Sequence, residues 1–275
     1  MGSGYPFLTI SSRTAYVLDE IVKNWRSSVN LENKTAVVTG GGTGIGLAIA
    51  KRFAAEGAHV FITGRRKEVL DEAVAEIGGD VTAIRADSAN LADLDALYRA
   101  VAERGRGLDV LVANSGGGSF APLGEITEEQ FDKTFATNVK GVLFTVQKAL
   151  PLLNANASII LTGSTASTRV DPAFSVYGAT KAAVRNFARG WATDLKGTGT
   201  RVNVLAPGPT RTPGLLGLVA EDEQQGLLDN LAAQVPLGRV GEPAEIAAAA
   251  LFLASEESSF VNGIEFFVDG GAAQV

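Results

Sequence analysis

The chain has no cysteine, one histidine and one methionine among 275 residues, and only 7% of it is aromatic. Without cysteine there is no disulfide framework and no thiolate metal site. A single histidine, His59, cannot build the usual zinc centre, and standing just ahead of an apolar run it reads as a structural or surface residue rather than a catalyst. Basic charge is in short supply too. Lys and Arg total 24 against 30 Asp and Glu, a formal net charge of -6, which leaves no basic face for nucleic acid. Long hydrophobic runs are also missing, because charge or glycine interrupts every greasy stretch before it reaches the length of a membrane span. These absences leave small molecules as the expected partners and a cytoplasmic protein as the expected setting. They also raise a chemical question, since the usual handlers of protons near neutral pH are nearly absent.

What is present is aliphatic and glycine-rich: 46% hydrophobic residues and 32 glycines, a composition that suits many short strands joined by tight turns. The length fits one large domain. From residue 34, β-branched runs alternate with helical patterns: KTAVVTG, then 45–56, AHVFITG, then 67–77, DVTAIRAD, LDVLVANSG, ASIILTGS, TRVNVLAPG and GIEFFVDGG. This rhythm predicts an α/β fold: a doubly wound Rossmann-type domain with a seven-stranded parallel sheet and helices on both faces. In such a sheet, ligands sit beyond the carboxyl ends of the strands. The catalytic domain is expected over 33–275. Ahead of it, Leu18, Ile21, Val22 and Trp25 recur at helical spacing, so 1–32 is expected to be an extension with an amphipathic helix. Asp19 and Glu20 weaken an organelle-targeting reading. Residues 209–235 break the rhythm with prolines, glycines and a helical pair, which predicts an insertion acting as a lid or substrate wall, or else a plain surface connection.

The first strand ends in TGGGTGIG, residues 39–46, and a helix follows directly. Gly40 permits a sharp turn, Gly44 lets backbone approach a pyrophosphate, and Gly46 lets the helix pack close to the strand. The phosphates would meet the positive end of that helix, beside Thr43 and Ile45. Sites that prefer NAD usually carry a carboxylate at the end of the second strand. Here Gly64 stands in that place and Arg65 and Arg66 follow, a charge that suits a 2'-phosphate. NADP(H) is therefore the expected cofactor, with NAD(H) possible.

Further on, SVYGATK places Tyr177 and Lys181 four residues apart, neighbours on a helix face. A phenol has a pKa of about 10, and an ammonium within about 4–6 Å favours its ionised form. The pair can thus do acid and base work that histidine does elsewhere.

Taken in order, TGGGTGIG, NSGG, TNVKG, LTGSTAS, YGATK and PGPTRT resemble the short-chain dehydrogenase/reductase family, in the compact form that includes the 3-oxoacyl-carrier-protein reductases. The resemblance covers about 33–275. It implies a nicotinamide cofactor and hydride exchange between a secondary alcohol and a carbonyl. Carried over by position, the family's catalytic tyrosine, lysine, serine and helix asparagine fall on Tyr177, Lys181, Ser164 and Asn138. The spacing between the serine and the tyrosine matches the family's and favours Ser164 over Ser167. Ser164 would hydrogen-bond the reacting oxygen, and Asn138 would hold a water that relays protons from Lys181. Asn114, Ser115 and Gly116 match the family's NAG segment, with serine in place of alanine. Asp87, with Ser88 beside it, matches the residue that binds the adenine, although Asp87 could instead cap the helix that begins near Leu91. Pro207, Gly208 and Thr210, with Thr212, match the segment beside the nicotinamide amide.

Three functions follow as expectations. The first is an oxidoreductase acting on a small carbonyl or secondary alcohol. The second is a 3-oxoacyl-carrier-protein reductase, weakened because LPLLNANAS lacks the basic residues an acidic carrier would need. The third is a cofactor-binding sensor or scaffold, disfavoured by the presence of both Tyr177 and Lys181. The alanine-rich helix expected over 243–255 resembles the segment through which family members assemble, which implies a homo-oligomer, a tetramer or a dimer.

Overall fold

The structure, a computed structural model, describes residues 30–275. The amphipathic helix expected around Leu18 to Trp25 lies outside the described residues.

Seven strands form one parallel sheet: β1 (Thr35–Val38), β2 (His59–Gly64), β3 (Val81–Arg85), β4 (Leu108–Ala113), β5 (Leu153–Thr162), β6 (Arg201–Pro207) and β7 (Glu265–Val268). Their spatial order is β3-β2-β1-β4-β5-β6-β7. The order reverses between β1 and β4, so the loops after those two strands diverge and leave a crevice at their carboxyl ends. Each expected strand is present. His59 is the first residue of β2 rather than lying ahead of it. β5 also begins earlier than its apolar run, at Leu153, because polar side chains hold the extra turn in place: Asn154 Nδ2 donates to the Arg106 carbonyl and to Asp109 Oδ1, both at 3.1 Å.

The sheet separates two apolar layers, and alternate strand residues serve one or the other, as the period of two requires. Ala36, Val38, Val110, Val112 and Ile160 face the layer built with α1 (Gly44–Ala55), α2 (Lys67–Ile77) and α9 (Pro243–Ala254). Val37, Leu111, Ile159 and Leu161 face the layer built with α3 (Leu91–Glu103), α5 (Gly141–Ala149) and α6 (Ser175–Asp194). Between them in the chain stand α4 (Glu128–Phe135), α7 (Pro213–Leu216) and α8 (Gln224–Gln234). The inner strands β1, β2, β4 and β6 and the second half of β5 are buried on both faces, which is why their sequences are nearly continuous apolar runs rather than alternating ones, while the edge strands β3 and β7 are half-buried.

His59 sits at the amino end of β2, at the opposite end of the sheet from the crevice. Its Nδ1 is 2.7 Å from Asp80 Oδ1, its Nε2 is 3.2 Å from Thr82 Oγ1, and its ring meets Phe61 edge-on. That is the structural role expected of it.

Candidate active site

The turn from β1 into α1 is shaped by three glycines. Gly40 and Gly44 take φ of +65° and +55°, in the left-handed region where side chains are strained. Gly46 is required by contact: a Cβ there would lie 2.2 Å from the Gly40 carbonyl oxygen and 2.6 Å from Asn114 Nδ2. The helix therefore starts hard against the strand end. Its N-cap, Thr43, is extended and its side chain makes no capping bond, so the first amides of α1 point into the crevice without a side-chain partner.

Asn114, at the end of β4, joins three strand ends. Its Nδ2 donates to the Thr39 carbonyl at 3.0 Å, its Oδ1 accepts from Thr162 Oγ1 at 3.2 Å, and its N–H donates to Thr39 Oγ1 at 3.0 Å. It supports the crevice floor. Asp87 uses Oδ1 to accept the Ala89 N–H at 2.9 Å, while the cap of α3 is Asn90, whose Oδ1 accepts from Ala92 at 3.0 Å. Asp87 is thus not the cap of that helix. Thr212 Oγ1 caps α7 by accepting from Leu215 N–H at 3.1 Å, and Thr210 Oγ1 donates to the Gly208 carbonyl at 2.9 Å.

Near the middle of the sheet, β5 leads through Gly163 to Ser164, which caps a short turn, Thr165–Ser167, by accepting the Ala166 N–H at 3.1 Å. The Ser164 hydroxyl also faces the Tyr177 phenol closely enough to hold its pKa down. Ser167 is committed elsewhere, since its hydroxyl donates to Glu265 on β7. Tyr177 and Lys181 lie in the first turns of α6, and the Lys181 Nζ stands 5.4 Å from the centre of the Tyr177 ring. Nζ donates to the Thr162 carbonyl at 2.8 Å. Lys181 is only 3% exposed, and burial pulls its pKa down to about 8.

The phenol differs from the sequence expectation. Burial raises the Tyr177 pKa, and the Ser164 hydrogen bond works against that rise without cancelling it. The same dryness that raises the phenol lowers the lysine, which at a pKa of about 8 still keeps its proton at neutral pH, so the pair is a neutral phenol beside an ammonium rather than a phenolate beside one.

Asn138 is fully buried in a π-helical turn, Ala136–Lys140, inserted between α4 and α5. Its Oδ1 accepts the Gly117 N–H at 3.1 Å, and its Nδ2 donates to the Gly117 carbonyl at 2.8 Å and to Thr180 Oγ1 at 3.0 Å. Both Nδ2 protons are spent on protein. The side chain therefore clamps the loop after β4 to α6. The wide π turn is a common device at functional sites.

Every residue expected to hold the cofactor lines one cavity of about 900 Å³, and so do Ser164, Tyr177 and Lys181, while Asn138 stands behind its wall. Residues not expected from sequence also shape it. Just outside the lining, Arg85 ends β3 beside Gly64 in the sheet register, and its Nε donates to the Arg65 carbonyl at 3.0 Å, so a third arginine stands behind that corner. None makes an ion pair among the described residues. The parallel register of β2 and β3 could have revealed Arg85, since it places the two strand ends together. Phe120 and Phe174 line the wall toward Tyr177, and leucines of the 209–235 segment line the other side.

These groups fit a nicotinamide dinucleotide. The uncapped amides of α1 suit a pyrophosphate, the glycine turn leaves room for it, and the arginine corner suits an anion on the ribose. Ser164, Tyr177 and Lys181 line the same cavity.

Comparison with known proteins bears on the whole domain. Residues 40–273 match the family described as enoyl-(acyl carrier protein) reductase. The chain is 52% identical over 248 residues to oxidoreductase asL5 of Sarocladium schorii, covering 89% of this chain and 98% of that protein. It is 38% identical over 256 residues to the short chain dehydrogenase mdpC of Emericella nidulans, covering 88% and 96%. The crystal structure of a dehydrogenase/reductase from Sinorhizobium meliloti 1021 superposes with a TM-score of 0.84 at 36% identity, covering 91% of this chain and 99% of the other.

Proposed function

The chain belongs to the short-chain dehydrogenase/reductase family, and from that premise we propose that it uses NADP(H) to interconvert a small carbonyl compound and its secondary alcohol, with Tyr177 as the acid and base. The observation that carries the reading is the convergence of the Tyr177 phenol, the Ser164 hydroxyl and the buried Lys181 amine at one end of the cavity whose other end is the glycine turn. When bound, the cofactor supplies or accepts the hydride.

The chain's own residues handle the oxygen. In reduction, Tyr177 donates its proton to the substrate oxygen as negative charge develops there, and the Ser164 O–H donates a hydrogen bond to the same atom. The raised phenol pKa keeps that proton in place at neutral pH. In oxidation the phenol must first lose its proton, and the nearby ammonium of Lys181 stabilises the resulting charge. Lys181 is oriented by the Thr162 carbonyl, and Asn138 fixes the loop and helix that flank the pair.

The arginine corner supports NADP(H). A carboxylate would repel a 2'-phosphate, and Gly64 offers none, while Arg65 and Arg66 line the cavity there. An acyl-carrier partner finds less support. The charged residues at the cavity's substrate end, Glu129, Asp171, Lys133 and Arg169, balance in sign and offer no basic platform for an acidic protein.

Replacing Tyr177 with phenylalanine tests the reading. Y177F is expected to bind NADPH as tightly as the parent while losing about 10² to 10⁴ in turnover, the usual worth of a positioned proton donor. NADPH consumption with a carbonyl panel measures the rate and NADPH fluorescence measures binding. Y177F turning over near the parent rate would overturn the assignment.

A further inference from the structure

The substrate end of the cavity is walled by two apolar surfaces. On one side Phe174 stacks on Tyr177, with centroids 4.4 Å apart and planes at 25°, and Phe174 also meets Phe120 at 4.6 Å and 34°. A Cβ on Gly118 would come within 2.7 Å of Tyr177 Cδ2, so the backbone of Gly118 presses on the same phenol. The tyrosine ring is thus packed by Phe174 and by main chain. What it offers the cavity is its hydroxyl end. The loops that carry the two phenylalanines are tied together by the Ala121 N–H donating to the Ala173 carbonyl at 2.8 Å. The same cavity is lined also by Leu215, Leu218, Leu227 and Leu231 on the 209–235 segment.

Phe120 is 47% exposed, a large aromatic surface left open on a cavity wall rather than buried in the core. Burying such a surface releases water and is favourable, so an open one beside reactive groups marks where a ligand's apolar body belongs. Aromatic walls add a preference for ring systems, which pack offset or edge-to-face at centroid separations like those already seen here. The charges lining the cavity here, Glu129, Asp171, Lys133 and Arg169, sum to zero and give it no net field for a strongly charged substrate.

We propose that the substrate is an uncharged, planar, fused-ring ketone or its alcohol, whose body packs between the Phe120–Phe174 wall and the leucine wall while its oxygen reaches Tyr177 and Ser164. Phe120 is the specificity-determining residue, and Phe174 positions the phenol. The proposal rests on the carbonyl-reductase reading of this cavity.

The test uses the full chain with saturating NADPH and three carbonyl compounds: β-tetralone, cyclohexanone and ethyl acetoacetate. The expected kcat/KM is highest for β-tetralone. In Phe120→Ala the ratio of kcat/KM for β-tetralone over ethyl acetoacetate falls about three- to tenfold, the range of one aromatic contact, and Phe120→Trp restores it. Thermal melting of each variant checks that it folds. A linear ester reduced as well as the fused ring, or a Phe120→Ala loss that is equal for all three, would overturn the proposal. Binding of β-naphthol, which cannot be reduced, separates this inference from the reaction itself. Binding that weakens in Phe120→Ala with no carbonyl turned over sustains the ring site and sinks the reductase reading. Failure of β-naphthol to bind the NADPH-loaded protein overturns the ring site.

Discussion

Lys181 shows how one residue trades stability for chemistry. It is buried with its ammonium against a single carbonyl, and burial brings its pKa down to about 8 from an ordinary value of 10.5. Between those two values the unfolded chain binds more protons than the folded one, so this group makes stability rise with pH across that window. Below about pH 8 both states are protonated and the whole cost is present. Lys181→Met removes the cost, on the order of 3 kcal/mol at most, but leaves the Thr162 carbonyl unpaired, which takes back about 1–2 kcal/mol. The variant is expected to be more stable than the parent at pH 7 by about 1 kcal/mol, and to lose that advantage as pH climbs through 8 toward 10.5. Denaturant unfolding at two pH values checks this. A variant equally destabilised at both would mean that the lysine carries no burial cost. Sequence spacing brought Tyr177 and Lys181 together, yet it did not reveal that burial would hold the phenol protonated and leave the lysine the more easily discharged partner.

At the scale of the element, the turn into α1 was legible because its glycines have steric causes. Gly46 faces the Gly40 carbonyl so closely that no side chain fits. Gly46→Ala is expected to push the helix off the strand, lower stability by about 1–3 kcal/mol and weaken NADPH binding, measured by thermal melting and fluorescence titration. An alanine variant with unchanged melting and affinity would show that the turn yields without cost. The π turn at Ala136–Lys140 was not legible. Its residues read as ordinary helix, and only the long-range bonds of Asn138 to Gly117 and Thr180 show why the helix widens there. The aromatic wall escaped for a similar reason: Phe120 and Phe174 are more than fifty residues apart, and a backbone bond between their loops brings them together.

For the whole molecule, the cofactor is a ligand of the folded state alone, so it stabilises by mass action. At about a hundred times its dissociation constant NADPH should add about 2.7 kcal/mol, or about 5–10 °C in melting temperature for a chain of this size. NADH at the same concentration should add less, and Arg65→Ala should bring the two together. Equal shifts for both cofactors in the parent would remove the arginine corner from cofactor selection. Among the described residues no helix is long and apolar enough to cross a membrane.

The sequence by itself determined the seven strands, their parallel pairing and the glycine turn, because each depends on local pattern or on motifs a few residues long. The longer reach of β5, the clamping role of Asn138, the third arginine and the aromatic wall were decided only by tertiary structure. Each depends on which distant segments become neighbours. The protonation of Tyr177 belongs with these, since a phenol's pKa follows how much water the finished fold leaves around it.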